Sequence, residues 1–286
     1  MTKKLQSKKI IITGGSMGIG LAVAKECALN GAVVIIAARN RIDLERANYE
    51  INKLSESNHL SYSLDVSDFN SVKEFAEWLK SKKIKVDGLV NCAGILGPIG
   101  KTTDVDMKKF TEAINVNLLG TIYMCHIFFS LFNKDKNKKI VNFSGGGGAS
   151  PCPNYSAYAS SKAAIIRFTE NLALELAEEK FDINCVAPGF VITRLHQQTL
   201  LAGSETAGNS FYDNTNKQIE EGGVPPEIAA ELCSFLLSDY SDGITGKFIS
   251  APWDSWKEKD FQIKLREEKD FATLRRIDNK YFSKIK

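Results

Sequence analysis

The sequence contains no Cys-x-x-Cys pair, and none of its three histidines stands at a metal-ligand spacing from a cysteine. This absence argues against a zinc site and against any other metal centre built on these residues. The six cysteines are scattered along the chain and do not form a disulfide framework. We therefore expect no metal, reduced and mostly buried cysteines, and a cytoplasmic location.

The chain also lacks a long apolar run and a block of like charge. The nearest approach to a membrane span, residues 122–132, is interrupted by His126 and falls short of the ~18 apolar residues that a span needs. An apolar run at residues 10–12 is cut at once by Thr13-Gly14-Gly15, which excludes a signal-peptide core. The 37 basic and 34 acidic residues are interspersed. Neither a membrane span nor a nucleic-acid partner is therefore expected.

No Pro/Ser-rich linker and no internal repeat divides the 286 residues. With 43% hydrophobic residues, the chain can bury a large core. We expect a single domain over residues 1–252, followed by a C-terminal extension, residues 253–286, that is not an independent domain.

Short β-branched runs alternate with segments in which apolar residues recur at helical spacing. Strands are predicted at residues 9–13, 33–37, 60–64, 88–91, 139–144, 182–186 and 246–250. Helices are predicted between them, including residues 42–56, 67–82, 106–132 and one that ends near residue 180. Such alternation is typical of an α/β fold with a parallel sheet. Residues 194–223 are irregular and polar, which favours a substrate lid.

The first strand is followed by a glycine-rich turn, Thr13-Gly14-Gly15-Ser16-Met17-Gly18-Ile19-Gly20. Missing side chains let backbone N–H groups approach a pyrophosphate, and the N-terminus of the next helix favours negative charge. The position of the turn between a strand and a helix indicates a dinucleotide site, although a plain turn has the same composition.

The end of the second strand bears on the choice of dinucleotide. No acidic residue stands there to bind the adenosine ribose of NAD, and Arg39 stands there instead, where a guanidinium suits the 2′-phosphate of NADP(H). A solvated arginine is the alternative, and Asp43 is expected in the first turn of the next helix. Asp65, after the third strand, either accepts from the adenine amino group or caps the following helix.

Tyr158 and Lys162 stand four residues apart in a predicted helix, so they lie one turn apart on the same face. A neighbouring cation stabilises a phenolate and lowers the pKa of the tyrosine, which suits a general acid or base. The pair alone is weak evidence for a catalytic site, because an exposed tyrosine and a solvated lysine on a helix can have the same spacing. Asn117 lies among apolar residues and is expected to serve a helix kink or a chain of waters.

Together, the glycine turn, the alternating elements and the Tyr158/Lys162 helix resemble the short-chain dehydrogenase/reductase family over about residues 8–250. The resemblance implies a Rossmann-type, doubly wound parallel sheet of about seven strands with helices on both faces, and a homodimer or homotetramer. It implies four catalytic residues: Asn117, Ser144, Tyr158 and Lys162. It implies a cofactor site formed by Thr13, Gly14, Ser16, Met17, Gly18, Ile19, Gly20, Arg39, Asp65, Val66, Asn91, Ala93, Gly94, Tyr158, Lys162, Pro188, Gly189, Val191 and Thr193. NADP(H) is the preferred cofactor and NAD(H) the alternative. Arg39 alone bears the NADP(H) assignment, because Met17 replaces the arginine that many NADP-dependent members carry.

The chain departs from the family pattern in two places. The family's catalytic serine lies about 13 positions before the tyrosine, where this chain has Gly145. We expect a register shift to bring Ser144 to the substrate, with Ser150 or the substrate itself as alternatives. The usual closing Asp-Gly-Gly is replaced by residues 250–254 and a tail, which is expected to form an amphipathic helix on its own or a neighbouring subunit. Arg275-Arg276 in that tail could instead bind a phosphate.

These features predict an NADP(H)-dependent oxidoreductase that interconverts a ketone and a secondary alcohol, with Tyr158 as general acid/base. The polar residues His196, Gln197 and Gln198 favour a keto sugar or nucleotide-linked sugar as the small-molecule substrate. The glycine run and the tail resemble a branch associated with surface-carbohydrate biosynthesis. A 3-oxoacyl-thioester reductase is the alternative, and a non-catalytic NADP-binding sensor is the alternative of another class.

Overall fold

The computed structural model describes residues 3–278, and within them it contains a seven-stranded sheet whose strand pairs are all parallel. The strands are β1 (Lys9–Thr13), β2 (Val33–Ala38), β3 (Leu60–Ser63), β4 (Gly88–Asn91), β5 (Lys138–Phe143), β6 (Phe181–Ala187) and β7 (Phe248–Ser250). Their order across the sheet is β3-β2-β1-β4-β5-β6-β7. This order confirms the doubly wound α/β sheet that the sequence predicts.

Helices connect the strands, as parallel pairing requires. They are α1 (Gly18–Leu29), α2 (Arg41–Asn52), α3 (Phe69–Ser81), α4 (Met107–Ile114), α5 (Gly120–Phe128), α6 (Gly146–Ala149), α7 (Ser156–Glu175), α8 (Arg194–Ala207), α9 (Asn209–Glu220), α10 (Pro226–Leu236) and α11 (Lys259–Glu267). The helix that carries Tyr158, α7, ends at Glu175 and is thus shorter than the sequence predicts.

The alternation of side chains along β1 separates two cores. Ile10 and Ile12 join the buried cluster that includes residues of α1, α2 and α10. Ile11 faces the other way, into the cluster that includes residues of α3, α5 and α7. Because strand side chains alternate with period two, the fully apolar run of β1 places a helical layer on each face of the sheet.

The long helical segment between β4 and β5 is interrupted by a π-helical turn. Residues Asn115–Leu119 form this turn between α4 and α5. By length and composition alone, Met107–Leu131 is one stretch apolar enough to cross a membrane. Its residues Met124 and Phe128 are fully buried against the sheet, so the stretch is explained as a core helix and is weak support for a span.

The segment predicted to be irregular is helical. α8 and α9 cover most of residues 194–220, with a break at Gly203, whose φ of 78° is left-handed. Its sequence lacks a strong apolar stripe because much of the segment is exposed to solvent or faces the cleft described below. The prediction of a structureless loop was therefore wrong. A helix can be recognised from the spacing of apolar residues only when a wide side of it packs against the core.

The tail packs against its own sheet. Leu265 of α11 is fully buried and Trp256 is 5% exposed in the core beside α10. The N–H of Phe248 in β7 donates to the carbonyl of Ala272, at 2.7 Å. Arg275 pairs with Glu170 of α7 and with Asp270, at 2.7 Å from the latter. The predicted amphipathic helix is present as α11, which ends at Glu267. Residues 268–278 continue without a helix, and there Arg275 is engaged by carboxylates. Residues 279–286 of the predicted extension lie outside the described residues.

Candidate active site

A cavity of about 1380 Å³ opens at the carboxyl ends of the strands. It lies where the strand order reverses between β1 and β4, which is where open α/β sheets bind ligands. Its volume exceeds the 300–1,000 Å³ of an ordinary small-molecule site. A cleft of this size has room for a dinucleotide together with a second small molecule.

The glycine turn fits closely against the end of β4. Gly14 has a φ of 66°, and a Cβ on it would lie 2.9 Å from the backbone N of Ala93. A Cβ on Gly20 would lie 2.2 Å from the carbonyl oxygen of Gly14. Thr13 reinforces the junction, because its Oγ1 accepts the N–H groups of Cys92 and Ala93 at 3.1 and 3.2 Å. Side chains at either glycine would push the turn out of this shape.

The start of α1 suits a pyrophosphate. Met17 is the N-cap residue, and it makes no side-chain hydrogen bond to the first turn of the helix. Ser16, Met17, Gly18, Ile19 and Gly20 all line the cavity. The N–H groups of this turn are thus left without the side-chain cap that usually satisfies them, which is the arrangement that phosphate-binding helix N-termini share.

The far end of the cavity carries the residues predicted to bind adenosine. Arg39 lines it and is exposed, and no ion pair engages its guanidinium within residues 3–278. Asp43 also lines the cavity, but it pairs with Arg46 at 3.1 Å and with Arg194 at 3.9 Å. Arg39 is therefore a cation at this end that no carboxylate engages among the described residues.

Asp65 lines the same end, beside Val66. Its Oδ1 accepts the N–H and the hydroxyl of Ser67 at 2.9 and 2.6 Å. The N-cap of α3 is Asp68, whose side chain accepts from Asn70. Of the two alternatives for Asp65, capping the helix is thus wrong, and its cavity position leaves the adenine contact open.

Tyr158 faces the cavity next to the glycine that replaces the family's serine. A Cβ on Gly145 would lie 2.9 Å from the Tyr158 hydroxyl oxygen. Ser144 does not line the cavity: it is 3% exposed, and its Oγ donates to the carbonyl of Lys162 at 2.9 Å. The backbone of Ser144 continues the ladder of β5 through a bond to Val186. The register shift expected at Ser144 is therefore absent from this structure, and no side chain supplies a hydroxyl at position 145.

Lys162 and Asn117 lie directly beneath the cavity wall. A Cβ on Gly94 would lie 3.5 Å from Lys162 Nζ and 3.3 Å from Asn117 Oδ1. Lys162 Nζ donates to the carbonyl of Phe143 at 2.9 Å and lies 5.7 Å from the centroid of the Tyr158 ring. The ammonium is thus held within reach of the cleft but is turned to the backbone.

Asn117 is fully buried in the π-helical turn, which turns its amide onto the segment after β4. Its Oδ1 accepts from Ile95 N at 2.8 Å, and its Nδ2 donates to Ile95 O and to Ser161 Oγ, both at 2.9 Å. The kink that the sequence suggested is present. The amide is satisfied by these bonds, as a buried polar group must be.

Burial is the largest influence on the pKa values of Tyr158 and Lys162. It raises the pKa of Tyr158 to about 12, with smaller contributions from Cys152 and Cys92. Burial also lowers the pKa of Lys162. The expectation that Lys162 lowers the pKa of the phenol is not met here, because burial disfavours the charged forms of both groups.

The cofactor residues predicted from sequence divide into two groups. Those that line the cavity are Gly14, Ser16, Met17, Gly18, Ile19, Gly20, Arg39, Asp65, Val66, Ala93, Gly94, Tyr158, Pro188, Gly189, Val191 and Thr193. Thr13, Asn91 and Lys162 lie behind the lining. Asn91 Nδ2 donates to Asn142 Oδ1 at 2.9 Å, so its side chain ties β4 to β5 instead of facing a ligand.

Three features of the cavity are not predicted from the sequence. Tyr155 donates its hydroxyl hydrogen to Thr199 of α8 at 3.1 Å, which fastens α8 to the start of α7. Cys152 lines the wall near Tyr158. Trp253 and Asp254, just after β7, also line the cavity. Their position at the carboxyl end of a strand was the available signal for the last pair.

Comparison with known proteins agrees with this geometry. The sequence profile described as short chain dehydrogenase matches residues 8–202. The chain is 32% identical over 250 residues to the uncharacterized oxidoreductase YxbG of Bacillus subtilis, covering 87% of this chain and 90% of that protein. It is 33% identical over 251 residues to the 3-oxoacyl-[acyl-carrier-protein] reductase FabG of Thermotoga maritima, covering 86% and 96%.

Among solved structures, a short chain dehydrogenase from Salmonella enterica serovar Typhi superposes with a TM-score of 0.76 at 25% identity. The superposition covers 88% of this chain and 98% of that one. The profile alone spans more than half of the sequence, and the relatives are matched over nearly their whole length. The chain therefore belongs to the short-chain dehydrogenase/reductase family and is an oxidoreductase that acts on CH–OH groups.

Proposed function

We propose that the protein is an NADP(H)-dependent reductase that converts a ketone into a secondary alcohol, with Tyr158 as the general acid. The observation that carries the proposal is the phenol of Tyr158, which faces the cavity beside Gly145 with Lys162 one helical turn away. A protonated phenol held at the cavity wall is suited to giving a proton to a developing alkoxide.

The glycine turn, the uncapped start of α1 and the volume of the cleft fit a nicotinamide dinucleotide, which when bound supplies hydride to the carbonyl carbon. Tyr158 hydrogen-bonds the carbonyl oxygen and donates its proton to it. Lys162, behind Gly94, would hold the nicotinamide ribose and would keep a positive charge near the phenol. The Asn117 amide fixes the backbone at Ile95 and hydrogen-bonds the hydroxyl of Ser161.

NADP(H) is proposed over NAD(H) because of the charges at the adenosine end. Arg39 is available for a 2′-phosphate, whereas the carboxylate of Asp43, which lines the same end, is engaged by Arg46 and Arg194. An unengaged carboxylate there would repel the phosphate, and a free guanidinium binds it through charge-assisted hydrogen bonds.

The proposed substrate is a keto sugar or nucleotide-linked sugar, in keeping with a branch that serves surface-carbohydrate biosynthesis. The lid supplies His196, Gln197, Gln198, Asn214 and Gln218 to the cavity wall. These side chains offer donors and acceptors to a polyhydroxylated molecule. A 3-oxoacyl thioester is the second candidate, favoured by the names of relatives such as the Thermotoga maritima reductase.

A cytoplasmic location is proposed from the six free cysteines, since an oxidising compartment disfavours unpaired thiols. Assembly as a homodimer or homotetramer is proposed from the family resemblance.

The proposed chemistry is tested with Tyr158→Phe. Wild-type protein should consume NADPH with at least one member of a panel of keto sugars, keto-sugar nucleotides and acetoacetyl thioesters. The variant should bind NADPH with unchanged affinity, measured by cofactor fluorescence, but lose turnover by about 10²–10⁴-fold, the usual contribution of a general acid. Turnover that survives in the variant would remove Tyr158 from the mechanism, and NADPH binding without any turnover by wild-type protein would favour the non-catalytic sensor.

A further inference from the structure

The turn that follows β7 forms a wall of the active-site cavity. Ser250, Trp253 and Asp254 all line it. The turn is seated on the loop after β6, because a Cβ on Gly189 would lie 2.8 Å from Cγ of Pro252. Residues 250–254 stand where the family resemblance leads one to expect a closing Asp-Gly-Gly, so the side chains of this wall differ from that pattern.

The two tryptophans of this turn have opposite roles. Trp256 is 5% exposed, and its indole N–H donates to the carbonyl of Ala251 at 3.0 Å. It packs against Phe235 of α10, so it anchors the turn in the core. Trp253 is 73% exposed although it is a large aromatic residue. A tryptophan left open on a cavity wall provides a flat apolar platform.

Polar groups with unused hydrogen-bonding capacity lie beside this platform. Asp254 Oδ2 accepts the N–H of Ser250 at 2.7 Å. No cation pairs with the Asp254 carboxylate within residues 3–278, and the hydroxyl oxygen of Ser250 is buried without a hydrogen-bond partner there. An unsatisfied buried hydroxyl is costly, so a ligand or water that reaches it is favoured.

The electrostatics of the cavity select against anions at this end. The cationic side chains of the lining, among the described residues, are Arg39 and Arg194, and Arg194 reaches towards Asp43 at the adenosine end. Asp254 is the one charged side chain that the turn after β7 contributes to the cavity lining, and its carboxylate repels phosphate and carboxylate groups while accepting from hydroxyls.

We propose that Trp253 and Asp254 form a subsite for a neutral, hydroxyl-bearing sugar ring. The apolar face of the ring stacks on the Trp253 indole, and its hydroxyls donate to the free oxygen of Asp254. β7 lies two strands from β5, which ends beside Gly145 and Tyr158; two strand spacings are about 10 Å. The subsite thus binds a part of the substrate remote from the reacting carbonyl. The inference rests on the proposed ketone reduction and narrows its substrate to an uncharged sugar.

Tryptophan fluorescence of the NADP⁺-bound protein tests the subsite without turnover. The chain has three tryptophans, Trp78, Trp253 and Trp256, of which Trp253 is exposed in the cavity. Methyl glucoside should quench the emission in a saturable manner. Glucose 6-phosphate and acetoacetyl-CoA should bind at least tenfold more weakly, because Asp254 repels their phosphates.

Trp253→Phe should remove the quenching. Asp254→Asn should weaken the binding of methyl glucoside about tenfold, the value of one charge-assisted hydrogen bond. It should also reduce the difference in affinity between methyl glucoside and glucose 6-phosphate. Tyr240→Ala is the matched control, because Tyr240 is 61% exposed and lies outside the cavity lining; it should quench like wild type. Absence of quenching by methyl glucoside, its persistence in Trp253→Phe, or equal binding of acetoacetyl-CoA would overturn the subsite.

Two further readings on wild-type protein separate this inference from the proposed function. NADPH binding is followed by cofactor fluorescence, and reduction of the small ketone diacetyl by nicotinamide absorbance. Binding and reduction without sugar quenching would refute only the subsite. Failure of NADPH to bind would refute the proposed function as well.

Discussion

Gly145 carries no side chain beside the hydroxyl of Tyr158, and the phenol oxygen lies where a side chain at position 145 would begin. Because a Cβ at position 145 would meet the phenol oxygen at 2.9 Å, Gly145→Ala should displace Tyr158 and lower kcat/KM by tenfold or more. Ser144→Ala removes a hydroxyl that bonds the Lys162 carbonyl behind the site, so it should cost about 1 kcal/mol of stability and change kcat/KM little. Steady-state kinetics with urea unfolding of both variants checks this. A loss of activity of more than 10²-fold in Ser144→Ala alone would restore Ser144 as the catalytic hydroxyl.

The raised pKa of Tyr158, about 12, favours the reductive direction. Reduction uses the phenol, which is fully protonated at neutral pH, whereas alcohol oxidation uses the phenolate, about one part in 10⁵ at pH 7. Single-turnover reduction should therefore be flat between about pH 6 and 9, while oxidation rises about tenfold per pH unit. An oxidation rate that levels off near neutral pH would show instead that Lys162 depresses the pKa of the phenol in the loaded enzyme.

At the scale of elements, His59 joins the start of β3 to β2. Its Nδ1 accepts the N–H of Val34 at 3.0 Å, so the neutral ring carries its proton on Nε2, which donates to Ser55 Oγ at 2.8 Å. Burial lowers the pKa of His59. A histidine whose folded pKa is lowered stabilises the fold above its unfolded pKa of about 6.5 and loses that stabilisation as the pH falls.

The free energy of unfolding should thus decrease as the pH falls from about 6.5 to 5. His59→Asn keeps an acceptor for Val34 but cannot be protonated, so its stability should depend less on pH; His196, whose pKa burial also lowers, is unchanged in the comparison. His126→Asn, at an exposed position, serves as the control. Urea unfolding across this pH range decides, and identical pH dependence in wild type and His59→Asn would contradict the assignment.

The sequence predicts helices and strands well where burial against the core requires apolar residues at a regular spacing. All seven strands were predicted within two residues at each end, because their apolar runs end at glycines or polar turns. Helices α8 and α9 were missed, since residues such as Gln197 and Asn214 face a cleft and leave no apolar stripe. The sequence predicts the Ser144 hydroxyl at the substrate, but the structure turns it away from the cavity. Spacing along the chain does not tell which residue at the end of a strand faces the cavity. The pairing of β5 with β6 in the sheet determines this orientation.

At the scale of the whole molecule, the tail completes the core on one face of the sheet. Leu265 is fully buried there, so Leu265→Ala should cost about 2–5 kcal/mol. Ile263→Ala on the same helix, where the side chain is 47% exposed, should stay within about 0.5 kcal/mol. Urea unfolding midpoints measure the difference, and equal midpoints for the two variants would mean that α11 does not pack as described.

The tail also covers the outer edge of the sheet. Lys247 Nζ donates to the carbonyls of Glu268, Lys269 and Phe271, at 2.6 to 3.3 Å. An uncovered edge strand invites pairing with another chain. The extension is thus part of the domain's packing, and the same segment supplies Trp253 and Asp254 to the cavity.

The structure of the NADP⁺ complex tests the central claim most directly. The account predicts the pyrophosphate at the start of α1, the 2′-phosphate on Arg39, and the nicotinamide ring next to Tyr158, with room for a carbonyl group between its reactive carbon and the phenol oxygen at near-attack distances of about 3–3.5 Å. A nicotinamide turned away from Tyr158, or a cofactor bound outside the glycine turn, would contradict it.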